Sequence, residues 1–203
     1  MGFIENTFHS DRKRQENWRR FSREAGGIFI VDGASGGGEV HIPFMGHRIK
    51  VSTYTERRVS RTVLTSTYSS DGFQFKIFGW GGRNVPEVDR DPYLNSEFPE
   101  LAPRMKVEFN DPKKLTSLLA SPDLRRFVLE APAFFTLEAR PDLLCLDNRA
   151  HGSIDNGIIT DVNHLHAAFN LFKCALYGME AIGPASTQDF VNAPRPEKAL
   201  VAA

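Results

Sequence analysis

The chain has only two cysteines, two tryptophans and four methionines in 203 residues, and no excess of charge in either direction. Each scarcity narrows the possibilities. Cys145 and Cys174 lie far apart and form no C-x-x-C, which favours buried free thiols in a reducing compartment over a disulfide or a cysteine metal knot. The 25 basic and 25 acidic side chains cancel, so no global field draws nucleic acid or another polyanion. No run approaches the roughly 18 apolar residues of a spanning helix. The start, MGFIENTFHSDRKRQ, lacks the apolar core and small-residue cleavage site of a secretory signal. The expectation is a cytoplasmic protein, or one peripheral at the inner membrane, with one domain large enough to bury a substantial core.

The most legible stretch is Phe98–Pro132. Met105–Phe109 alternates apolar and polar, as a half-buried strand does. Asn110 or Asp111 can cap a helix that starts at Pro112, and Ser121-Pro122-Asp123 repeats the signal for a second helix. On the N-terminal side, residues 1–10 read as irregular and Asp11–Ala25 as a short helix with Ser10 as its cap. Strands are expected at Ile28–Val31, within His41–Thr55 around a turn at Met45-Gly46-His47, at Val59–Tyr68 and at Phe73–Phe78. Ser69–Gly72 then reads as a hairpin turn, and these strands as an antiparallel meander.

Gly79–Pro103 is the least regular interior stretch, with Pro86, Pro92 and Pro99 breaking helices, and reads as a functional loop, a lid or a connector. Phe134–Glu138 and Leu143–Leu146 flank a further hairpin. Val162, Leu165, Phe169, Phe172, Leu176, Met179 and Ile182 form an apolar stripe at helical spacing, which predicts a long helix from about Asp161 to Ile182 lying on the sheet. The fold class is therefore α+β: a curved antiparallel sheet with two short central helices and a long C-terminal helix packed on it. Residues 11–182 make the domain, and 183–203 a disordered tail.

Motifs that carry chemistry are scarce. GASGGGE at 33–39 lacks the Gly-Lys-Ser/Thr ending of a phosphate loop and leads into a strand, so a flexible hairpin loop is expected. His164 and His166 are two apart on a helix and point about 200° apart. Asp147, His151, Asp161 and His164 are weak candidates for a carboxylate and imidazole metal site, with no H-E-x-x-H to support them. No cofactor is implied. No G-x-S-x-G appears, and neither cysteine has an obvious base beside it. Tyr54, Tyr68, Phe73 and Phe75 with nearby arginines imitate a stacking platform, but a sheet under a long helix also needs an aromatic face.

The order of elements resembles a group of bacterial domains of unknown function, many carried behind membrane-spanning segments. The matching residues are Trp18 with Gly27, Gly46-His47-Arg48-Ile49, Val107 to Pro112, Leu118-Leu119 and Pro122 to Arg126. The resemblance implies an accessory or scaffold role near a membrane and no catalytic residue. The expected function is a non-catalytic protein-interaction module, with Trp18, Arg19, Arg20, Trp80 and Arg83 as contact residues. The partners would be proteins, including a membrane complex, and not nucleic acid. The alternative is a small-molecule-binding or hydrolytic domain, its pocket between sheet and C-terminal helix and open near Trp80.

Overall fold

The computed structural model describes residues 2–31, 38–56, 59–68, 72–131, 133–148 and 157–182, without the side chains of residues 2–11. The chain begins in α1 (Gly2–Glu24) and continues through β1 (Ile28–Val31), β2 (Gly38–Phe44), β3 (His47–Glu56), β4 (Val59–Thr67) and β5 (Phe75–Trp80). Then come α2 (Pro92–Glu97), β6 (Met105–Phe109), α3 (Pro112–Leu119), α4 (Pro122–Glu130), β7 (Phe134–Arg140), β8 (Leu143–Asp147) and α5 (Val162–Ile182).

Local chemistry accounts for most of these boundaries. Asp111 accepts from Lys113 N and Lys114 N, Ser121 from Leu124 N, and Asp161 from His164 N, so α3, α4 and α5 start at capped ends. Met45 and Gly46 both have positive φ, 50° and 80°, as the two-residue β2–β3 turn requires. Two expectations are corrected here. The first helix begins at Gly2 rather than Asp11, with Ser10 inside it; no Gly or Pro interrupts residues 3–24, and extending a nucleated helix costs little. Pro92 does not break a helix but opens α2, where Asp91 caps Tyr93 N and Leu94 N and the missing proline N–H goes unneeded.

Among the described residues, eight strands form one open antiparallel sheet in the order β1-β2-β3-β4-β8-β7-β5-β6. The expected meander ends at β4. The β7–β8 hairpin inserts between β4 and β5, so those two strands are sequence neighbours without pairing, and no β4–β5 hairpin forms. Side-chain alternation then sorts the sheet into two faces. One register row, Val40–Val51–Leu64–Leu146–Leu137–Ile77–Val107, runs buried across seven strands. The adjacent row, Lys50–Thr65–Cys145–Glu138–Lys76–Glu108, points the other way and is polar.

Helix α5 covers the apolar face and touches α1, α3, α4 and β8. Its expected stripe is buried from Val162 to Met179, and Leu171 and Ala175 widen it. Phe21 of α1, wholly buried, meets Phe169 edge-on at 5.7 Å. Two histidine–glutamate pairs tie α5 to its surroundings: His166 to Glu24 of α1 at 2.8 Å, and His47 of β3 to Glu180 at 3.0 Å. Arg20, then His166, holds the Glu24 carboxyl below its ordinary range.

Candidate functional site

The segment 157–161 positions the start of α5, and side chains from distant elements clamp it. Thr62 Oγ1 accepts from Ile159 N at 2.8 Å, while Trp18 Nε1 donates to Ile159 O at 2.9 Å and Asn17 Nδ2 to Thr160 O at 2.8 Å. Behind it, between the sheet and helices α4 and α5, lies a cavity of about 50 Å³. Leu64, Leu146 and Phe135 line it from the sheet, Phe127 from α4 and Ala131 from its C-cap, and Ala167, Ala168 and Leu171 from α5. Among the described residues Asn148 and His164 are its polar members, and His164 is exposed.

The expected metal candidates are not assembled. Asp147 lies on the uncovered sheet face, buried, with Oδ2 2.9 Å from Arg61 Nε. Arg61 in turn stacks on Tyr54 at 4.7 Å. Asp161 caps α5 and His164 sits at the cavity, on the opposite side of the sheet from Asp147. His151 lies outside the described residues, as does the glycine run 32–37. Among the described residues no three His, Cys, Asp or Glu side chains converge on one point.

The five expected contact residues divide. Trp18 is 2% exposed and serves the core, so it presents nothing to a partner. Its apolar face and its indole N–H are both engaged, which explains the burial of so large a side chain. Arg19 is exposed and lies over the Phe29 ring of β1 at 5.3 Å. Arg20 pairs with Glu24 at 2.7 Å. Trp80 is half-buried on the uncovered face, 5.9 Å from Phe134, so the cavity does not open beside it. Lys106 approaches the Trp80 ring and Arg83 the Phe134 ring, at 6.0 and 5.5 Å. Tyr68, Phe73 and Phe75, which imitate a stacking platform in the sequence, are core residues.

Sequence reasoning missed one surface. Among the described residues, strand β1 pairs with β2 alone and is an edge of the sheet. Ile28, Ile30 and Val31 are 69%, 46% and 50% exposed along it. The other edge, β6, carries Lys106 and Glu108, the charges with which edge strands deter pairing. An uncharged IFIV strand was visible in the sequence; that it would be an edge was not.

Cys145 lies between Thr65 and Glu138 on the polar face of the sheet, and Cys174 is partly buried against the core. Burial, and then the Asp147 charge, pushes the Cys145 thiol up to about 11, and burial raises Cys174. Among the described residues no helix is both long and apolar enough to cross a membrane. Comparison with family models, with curated proteins and with solved structures finds no match.

Proposed function

We propose that this chain is a non-catalytic protein-interaction module whose contact element is the free edge of β1. The observation that carries the reading is a neutral, apolar edge strand with three exposed aliphatic side chains and no strand beside it among the described residues. Such an edge offers a row of backbone donors and acceptors plus alternate apolar side chains, the components of strand addition by an extended partner segment. Ile28 and Ile30 share a face with His41 and Glu39, their register partners on β2. Arg19, over Phe29, flanks the other face. The titratable residues singled out for chemistry have structural engagements: Asp147 with Arg61, Asp161 at the start of α5. An accessory role, in a membrane-peripheral complex or elsewhere, fits a domain with this surface.

The test is affinity capture from soluble and membrane fractions with the wild-type chain, I30K and V88K. Residue 30 lies opposite Glu39, so a cationic substitution there blocks the edge at little cost to the fold. Val88 is 95% exposed elsewhere and serves as control. A partner should be held by wild type and V88K and lost by I30K, with all three unfolding alike; the fraction that yields it gives the compartment. Identical recoveries from all three, or recovery of the wild type alone, would overturn the proposal.

A further inference from the structure

We propose, independently of the β1 edge, that the cavity between the sheet and helices α4 and α5 binds a small, mainly apolar alcohol. Its alkyl end would lie inside, and its hydroxyl would sit between Asn148 and His164. The space exists because the walls carry small side chains where larger ones would close it: Ala131 at the C-cap of α4 and Ala167 and Ala168 on α5 lie across from Leu64, Leu146 and Phe135 of the sheet. At about 50 Å³ it has room for roughly three or four heavy atoms, since each water-sized site takes about 10–15 Å³. One water could pair with Asn148 and His164, but the rest of the space is lined by hydrocarbon and offers further waters no partners. An isopropyl-sized group meets both demands.

The head group follows from the two polar residues that line the cavity among those described. Asn148, which lines the cavity, donates from Nδ2 to Gly157 O at 3.3 Å and keeps Oδ1 as an acceptor. The backbone N–H of His164 donates to Asp161, and its ring nitrogens have no partner among the described residues. A neutral imidazole offers one donor and one acceptor. A hydroxyl can donate to Asn148 Oδ1 and accept from the His164 ring, satisfying both. A carboxylate head can only accept, which leaves Asn148 Oδ1 without a donor, and it would approach the Asp161 carboxylate at the same end of α5. The ligand class is thus a neutral short-chain alcohol rather than an acid.

The probe is 3-methylbutan-1-ol, whose isopropyl end fills the cavity while its two methylenes carry the hydroxyl out to the exposed His164, titrated into the full chain carrying ¹³C-labelled alanine methyls. Saturable shifts are expected at Ala131, Ala167 and Ala168, with remote alanines still. A168L should weaken binding about tenfold or more by occupying the site, and A131V does the same should A168L fail to fold. H164A, an exposed change, should weaken it about threefold to tenfold through the lost hydrogen bond, and 3-methylbutanoate should bind more weakly than the alcohol. Non-saturating or dispersed shifts, an affinity unchanged by either filling variant, or equal binding of alcohol and acid would overturn the assignment.

Discussion

Replacing Thr62 by Val tests whether the 157–161 clamp holds the domain together. Thr62 is completely buried and Ile159 nearly so, and the hydroxyl is the acceptor for the Ile159 N–H at 2.8 Å. Valine keeps the shape and removes the acceptor, so the N–H stays buried without a partner. That penalty is about 1–3 kcal/mol, reduced slightly by the better strand propensity of valine; about 2 kcal/mol is expected. For a domain of this size the unfolding midpoint should fall by about 4–8 °C. Trp18 Nε1 still holds Ile159 O and Thr62 N still donates to Gly157 O at 3.1 Å, so the loss is local. Thermal and urea unfolding measure the total, and amide exchange locates it: the Ile159 amide should exchange about thirtyfold faster, the equivalent of 2 kcal/mol. A T62V protein within about 0.5 kcal/mol of wild type, with Ile159 still protected, would refute the reasoning.

Other consequences are equally direct. In G79A the new methyl would fall on the Phe135 ring, and overpacking of this kind costs about 1–3 kcal/mol; chemical denaturation should show it, with partial rescue by F135L. F21A removes a fully buried ring from the α1–α5 contact and should lose about 3–5 kcal/mol by the same measurement. Cys145 titrates near 11 in the folded state, so its raised pKa stabilises the fold fully below the ordinary thiol range. That contribution is lost as pH rises from about 9 through 11, because the unfolded chain gives up its proton first. Alkylation by iodoacetamide, followed by mass spectrometry, should accordingly be slow at Cys145 at pH 8 until the protein unfolds. Rapid modification of the native protein would contradict its burial.

Much of the architecture was legible because it rests on short-range physics. Caps at Asp111, Ser121 and Asp161, prolines at first helical positions, the Met45-Gly46 turn and the α5 stripe each depend on residues within a turn or two of one another. The misreadings came where local signals compete. A proline such as Pro92 both breaks and begins helices, and only its place after Asp91 decides. Where the competing readings were weighed the sequence sufficed: Tyr68, Phe73 and Phe75, read as an aromatic face under a helix rather than a stacking platform, are core residues.

Three things were settled only in three dimensions. Pairing of β4 with β8 rather than β5 depends on which apolar rows align best across the whole sheet, a sum over contacts some 80 residues apart in the chain. That insertion makes β1 and β6 the edges, and so decides that an ordinary IFIV strand is left open. Trp80 meets Phe134 and Arg61 meets Asp147 because strands distant in sequence lie side by side. The cavity likewise arises where alanines from two helices face the sheet, and no single helix encodes a void. The sequence alone determined most of the elements, the capped starts of α3 and α4 and the α+β class, since these follow from periodicity and capping, but not the start of α1 or the existence of α2. Tertiary structure decided the strand order, the open edge and the empty space, because each is a property of surfaces brought together and not of any one segment.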